Sequence, residues 1–223
     1  MTRTPGTVTV NCTICAPADL EEMVWLLAET FSRRDPPALA VGLSYSEFAG
    51  MVRLFCPGAG DGGLTIVARD AASGGMAGVL LSEDSAAPPP AGFDRLGSKF
   101  DPIFDILGGM DTEYRGGRIP APGESLHLFL LGVAERFAGH GVARRLVAAG
   151  LENGARRGYR LAVTEATNPT SQHIFRGQGF VERVRRSYGD HRFDGRAVFA
   201  SIADQGGPIL MDRQLTGRPP EHR

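Results

Sequence analysis

Cysteine is scarce. The 223 residues carry three, Cys12, Cys15 and Cys56, too few and too unevenly placed for a disulfide framework. Cys12 and Cys15 form a Cys-x-x-Cys, but it lies in a strand-like run from Val8 to Cys15 with no second pair, so neither redox chemistry nor a metal site is expected. Neither sign of charge is in excess: 24 basic against 25 acidic residues leave a net charge of −1, which gives no electrostatic footprint for nucleic acid. The cluster Arg183, Arg185, Arg186 reads as the solvated face of a strand. No apolar run reaches the roughly 18 residues of a membrane span. The opening Met1-Thr-Arg-Thr-Pro-Gly6 lacks the apolar stretch of a secretory leader. A cytoplasmic protein is expected, with no nucleic-acid or membrane partner.

Hydrophobic residues make up 42% and charged residues 22% of the chain, enough for one ample core, and the length favours one domain over residues 1–223. A strand is expected over 7–15, then a helix from Asp19 in which Leu20, Met23, Val24, Leu27 and Phe31 keep helical spacing. Asp35-Pro36-Pro37 should stop it, because a proline disfavours helical geometry in the residue before it. A second helix is expected from Ser44 through Phe55, ended by Pro57-Gly58. Strands at Leu64–Arg69 and Met76–Leu81 would be joined by Ser73-Gly-Gly.

Residues 82–123 read as an insertion. It has a flexible, proline-rich start around Pro88-Pro89-Pro90 and a helix over Phe93–Tyr114, which Pro102 would either kink or start anew, with the apolar stripe Phe100, Ile103, Phe104, Leu107. That stripe covers either the core or a ligand, as a lid with Gly108-Gly109 and Gly116-Gly117 for hinges. Further on come a helix over 141–156, a strand over Arg160–Glu165, a short helix from Pro169 to Arg176 and a strand over Val181–Tyr188. Asp194-Gly195 should make a hairpin turn before a strand at Ala197–Ala203, followed by one at Ile209–Arg213 and a loose tail after 215. This alternation gives α/β or α+β and no more.

The chain is organised around residues 126–149. A strand-like run, Leu126 to Val133, meets Arg136-Phe-Ala-Gly139-His-Gly141 and then a helix with Leu146 and Val147 on its buried side. Glycines permit positive φ and leave no Cβ over the backbone, and the first N–H groups of a helix lack intrahelical partners. Together they suit a pyrophosphate. Two glycines before a helix can also make only a tight turn.

Downstream text favours the cradle. Leu131-Gly-Val-x-x-Arg136-x-x-Gly139-x-Gly141-Val142-Ala143, followed by Thr167-Asn168-Pro-Thr-Ser171-x-x-x-Phe175-x-x-x-Gly179-Phe180, resembles the acetyl-CoA signature of the GNAT superfamily of N-acetyltransferases, strongly over 120–200 and more loosely elsewhere. The resemblance implies a bent mixed sheet with helices on both faces, and acetyl-CoA as cosubstrate. It places the thioester along Leu131, Gly132 and Val133, and the pyrophosphate over Arg136, Phe137, Ala138, Gly139, His140, Gly141, Val142 and Ala143. Asn168 and Ser171 join the cofactor-binding set.

Three further stretches resemble the arylalkylamine branch of that superfamily. Phe31-Ser-Arg-Arg-Asp35-Pro36-Pro37 stands where the branch carries Phe-x-x-x-Glu-Pro-Leu, implying Asp35 as general base, one methylene short of glutamate; Glu47 is the alternative carboxylate. Thr167 and Ser171 fall at two serines near the thiol and amine. Tyr188-Gly-Asp190-His191-Arg-Phe-Asp194-Gly195 resembles its closing hairpin. Strict strand alternation sets His127, Phe129, Leu131 and Val133 on one face, so His127 would point toward the acceptor; the resemblance to that branch, which places a proton-relaying histidine at the matching strand position, implies a relay here, and a bonded core histidine is the alternative.

Two departures matter. Ala138 replaces a basic residue before the first loop glycine, and Phe175 replaces the tyrosine that protonates the leaving thiolate, leaving Ser171 or the product ammonium for that role. With no cysteine in the motif strand or loop, direct transfer in a ternary complex is expected. The implied acceptor is a small primary amine, with Phe104 and Phe129 as substrate contacts and Phe93 and Phe100 nearby. Acetylation of an antibiotic, another specialised metabolite or a peptide terminus is an alternative; so is a non-catalytic acyl-CoA-binding module. Amine identity, acyl length and the choice between monomer and homodimer stay open.

Overall fold

The computed structural model of the chain describes residues 8–215. The tail expected after 215, and the first residue of the strand expected over 7–15, lie outside them. β1 (Val10–Ile14) is followed by α1 (Leu20–Arg34), which buries Met23, Val24, Leu26, Leu27 and Ala28. The helix stops where proline chemistry requires. Asp35, before Pro36, is extended at φ −81 and ψ 121. A second proline does not prolong the loop, because Pro36 supplies a preset φ for the first turn of a short α2 (Pro36–Ala40). Asp35 becomes its N-cap, accepting from the Ala38 N–H at 3.4 Å.

α3 (Tyr45–Asp61) starts at the Ser44 cap and continues through Pro57, where an end was expected. Arg53 and Pro57 are both on the exposed side, so the Arg53 carbonyl left without its donor can turn to water. β2 (Ile66–Asp70) and β3 (Met76–Asp84) form a hairpin around Gly74, whose φ is +72.

The insertion begins inside β3, carries a single 3-10 turn at Phe93–Arg95, and forms α4 (Asp101–Arg115). α4 does not begin at Phe93 but is started anew at Pro102, which sits in its first turn, one of the two roles expected for that proline. Gly108 and Gly109 continue it without a break, and Gly116 is its left-handed C-cap at φ +59. Gly108 and Gly109 are thus interior to one helix, and Gly116 and Gly117, both at positive φ, lie at its end.

β4 (Ser125–Val133), α5 (Val142–Arg156), β5 (Leu161–Ala166), α6 (Pro169–Gly177), β6 (Val181–Arg185) and β7 (Ile209–Gln214) complete the chain. The strand expected at Ala197–Ala203 is a 3-10 turn, Ala200–Gln205, with Phe199 and Ile202 buried three residues apart as on a helix. Asp194 and Gly195, both at positive φ, close the expected turn between the bridged Phe193 and Arg196.

The seven strands make one mixed sheet in the order β1-β2-β3-β4-β5-β7-β6, parallel only between β4 and β5. One face packs α1, α3 and α4 into a core around Met23, Val52, Val79 and Ile106, and the other packs α5 and α6 around Leu80, Leu128, Leu146 and Phe175. This is the mixed sheet with helices on both faces that the sequence implied. No helix among the described residues is long and apolar enough to cross a membrane.

Candidate active site

The site is built where the sheet comes apart. β4 and β5 pair only at Ser125↔Leu161, Leu126↔Ala162 and His127↔Val163. Past that point they diverge, and Thr164 Oγ1 donates to the Leu128 carbonyl at 2.9 Å in the crotch of the fork.

On the opposite edge β4 carries an extra residue. Leu81 faces Leu130 and Ser82 faces Leu128, so Phe129 is unmatched, a β-bulge that breaks strand alternation. Phe129 and Leu130 both pack on the α1, α3 and α4 side, whereas Leu131 and Val133 pack on the α5 side. His127 and Phe129 therefore do not share a face with Leu131 and Val133 as strict alternation would have it.

Main-chain direction follows. Ala134 donates its N–H to Ala77 on β3, so the peptide groups of Leu131 and Val133 turn the other way, into the fork. Arg34 Nη2 already donates to the Val133 carbonyl at 3.0 Å.

Beyond the fork lies the glycine loop. Gly139 and Gly141 have φ of +78 and +75, and a Cβ built on either meets no protein atom within 4 Å. Their requirement is conformational, and it leaves bare backbone facing open space. Gly141 caps α5 without any side-chain bond, and no acidic residue occupies the first turn, so the Val142 and Ala143 N–H groups and the positive helix end are available to an anion. The Arg136 guanidinium lies 4.9 Å from the Phe137 ring centroid. Ala138 and His140 complete the loop. These residues fit a pyrophosphate.

A cavity in the fork joins most of the other expected residues: Asp35, Phe104, Phe129, Thr167, Asn168 and Ser171 all line it, with Phe175 at its floor. Asp35 is buried, accepting from Thr167 Oγ1 at 2.6 Å. Burial pushes its carboxyl up to about 6, against the opposing bonds from Thr167 and the Ala38 N–H. Tyr188, fully buried, donates to the Thr167 carbonyl at 2.7 Å, and Asn168 caps α6 by accepting from the Ser171 N–H at 2.9 Å. Ser171 Oγ returns a bond to the Asn168 carbonyl at 2.9 Å.

Glu47 is elsewhere. It closes the α3 capping box with Ser44 and meets Lys99 at 3.0 Å. Its bonds from Ser44, and then Lys99, hold it down at about 2.

His127 lies in an adjoining outer chamber, spanned by two carboxylates. Its Nδ1 is 3.1 Å from Glu83 on β3, and its Nε2 is 2.8 Å from Glu165 on β5. Burial opposes its charge, but attraction to Glu165 and the bonds to Glu165 and Glu83 prevail, pushing it up to about 10. Both ring nitrogens are thus donors of an imidazolium at neutral pH. Sequence reading named the histidine but not Glu83 and Glu165 as its partners, a pairing across strands that becomes visible only once register is known.

Residues 105–180 match the family model of the acetyltransferase (GNAT) family. No curated protein matches the sequence. Among solved structures, the C-terminal condensation domain of Ebony in complex with beta-alanyl-dopamine superposes with a TM-score of 0.85 at 15% identity, over 93% of this chain and 99% of that one. Arylalkylamine N-acetyltransferase 2 from Aedes aegypti gives 0.74 at 19% identity, over 93% and 100%. A Drosophila melanogaster polyamine N-acetyltransferase that forms N-acetylagmatine gives 0.72 at 17% identity, over 93% and 100%.

Proposed function

We propose that this chain, an acyltransferase of the GNAT superfamily, is an acetyl-CoA-dependent N-acetyltransferase of small primary amines that works by direct transfer. Acetyl-CoA supplies the activated acyl group as a thioester. The chain's part begins with position: the glycine loop and the α5 N-terminus hold the pyrophosphate, and the fork-facing peptide groups of Leu131 and Val133 hold the pantetheine arm. A main-chain N–H at this end of β4 is then placed to stabilise the negative charge that develops on the carbonyl oxygen.

Asp35 takes a proton from the incoming ammonium, which frees the nitrogen lone pair for attack on the thioester carbon. A pKa of about 6 leaves it ionised at neutral pH yet basic enough to accept that proton. Thr167 orients the carboxylate through its 2.6 Å bond, and Tyr188 fixes the backbone that carries Thr167. Collapse of the adduct expels the thiolate, and the second proton shed by the acylated nitrogen reaches the sulfur directly or through the Ser171 hydroxyl, which gives up one proton as it takes the other, the task for which buried Phe175 has no donor. The phenylalanine-rich cavity favours an amine with an apolar or aromatic body.

The observation that carries the reading is Asp35: a buried, hydrogen-bonded carboxylate of raised pKa on the wall of a cavity that opens into the fork. The test is an amine panel with acetyl-CoA, read by thiol release. Asp35→Asn should cut turnover by roughly 10²–10⁴-fold, the value of a general base, with cofactor affinity retained. Acetyl-CoA binding without turnover of any amine would instead support a non-catalytic acyl-CoA-binding module.

A further inference from the structure

Phe104, Phe129, Leu107 and Glu165 line both the Asp35 cavity and the outer chamber, so the two adjoin across these side chains, and an acceptor long enough to reach both would run past Phe104 and Phe129. Phe55, Phe93 and the Pro88–Pro90 segment wall the outer part, and their chemistry is apolar. Its polar groups reduce by elimination. Arg115 is spent on Asp111, with Nε 2.6 and 2.7 Å from the two carboxylate oxygens. Asp84 accepts from the Ala86 and Gly123 N–H groups at 2.8 and 2.6 Å and from Tyr159 at 3.2 Å. What remains is the unpartnered hydroxyl of Ser85 and the cluster of Glu83, His127 and Glu165, two carboxylates sharing one imidazolium, with a net charge of −1.

Within that cluster each carboxylate keeps one oxygen, Glu83 Oε2 and Glu165 Oε1, that no other side chain pairs among the described residues. Glu83 Oε1 takes the His127 bond, while its Oε2 makes no hydrogen bond among the described residues. The Glu83 side chain keeps 32% of its exposure, against 11% for Glu165, so Glu83 is the one that can be met by a ligand. A group arriving there past Phe104 and Phe129 must donate a hydrogen bond or carry positive charge, since an acceptor or an anion would face unpaired carboxylate.

We propose that Glu83, steadied by His127 and Glu165, anchors the far end of the acceptor. Preferred substrates then carry a hydrogen-bond donor or a cation opposite the acylated amine, separated by an apolar or aromatic body. His127 is a positioning residue in this scheme. With both its nitrogens donating, it has no lone pair to take a proton from the amine.

The inference rests on the N-acetyltransferase reading, and the test separates the two. kcat/KM is measured with acetyl-CoA for two matched pairs, phenethylamine against tyramine and pentylamine against 1,5-diaminopentane. The wild type should favour the donor-bearing member of at least one pair by roughly tenfold, about the worth of a hydrogen bond to a charged group. Glu83→Gln should reduce that preference at least several-fold. Ratios near one in the wild type, or a preference that Glu83→Gln leaves intact, overturn the anchor while leaving the N-acetyltransferase reading standing.

If none of the four amines is turned over, the N-acetyltransferase reading fails, and the anchor is judged by calorimetric binding of the same amines to both proteins. A preference for the donor-bearing member that weakens in Glu83→Gln supports it; its absence overturns it. His127→Gln should lower the preference but keep the rise of kcat/KM with pH. Loss of that rise would make His127 the relay and defeat the positioning role.

Discussion

Asp35 carries two duties in one side chain. Its Oδ2 starts α2 by accepting from Ala38, and its Oδ1 is bonded by Thr167 in the cavity. Burial raises its pKa, and the Thr167 bond holds that rise in check. Thr167→Val removes the hydroxyl and keeps the shape, so the carboxyl should move above about 6. The ascending limb of kcat/KM against pH should therefore shift to higher pH, with lower activity at pH 6 and recovery toward pH 8. An unmoved limb would assign the titration to another group. Asp35 and Thr167 were named through the resemblance of their stretches to the arylalkylamine branch, and the local signal there, proline, gave only the end of α1. That Asp35 and Thr167 touch, 132 residues apart in the chain, was not legible.

At the scale of elements, α4 presents two rows. Ile106 and Met110 are buried at 2% and 0% exposure, while Phe104 and Leu107 are half-covered and line both the Asp35 cavity and the outer chamber. The stripe read from the sequence, Phe100, Ile103, Phe104 and Leu107, is the cavity-lining row, with Phe100 and Ile103 also packed in the core, and Ile106 and Met110 form a second row that it did not include. Phe104→Ala should change relative rates across amines with a modest loss of melting temperature. Ile106→Ala should cost about 2–5 kcal/mol of stability and leave relative rates alone. Equal melting losses with unchanged rates would make the whole helix core.

The glycine loop is a second element with its own test. Gly141→Val places a branched side chain at φ +75 in open space, so the protein should fold with some loss of stability and show a raised KM for acetyl-CoA. Unchanged KM would remove the loop from the cofactor site. Glycine turns, caps and helical stripes were readable because they repeat over a few residues. The bulge at Phe129 was not, since it exists only relative to β3, and the helix through Pro57 depended on which side faces water.

Across the whole molecule, sequence order alone gave the alternation of strands and helices, and the signature stretch gave the order of the active-site parts. That His127 has a carboxylate on either side was hidden because each belongs to a different strand, brought alongside by pairing that no local pattern encodes. One further result follows from the fork. The sheet is two half-sheets, β1 to β4 and β5 to β7, sutured by only three residue pairs between β4 and β5. A pantetheine arm laid against the free peptide groups of Leu131 and Val133 would act as a splint across that seam. Acetyl-CoA should then slow amide exchange in β5 and β7 on the far half as well as in β4, which can be followed by hydrogen–deuterium exchange. Protection confined to the glycine loop would show that the halves are held by their helices alone. If the splint is real, the cosubstrate is for a moment the eighth strand of the sheet, and each turnover that releases it reopens the seam.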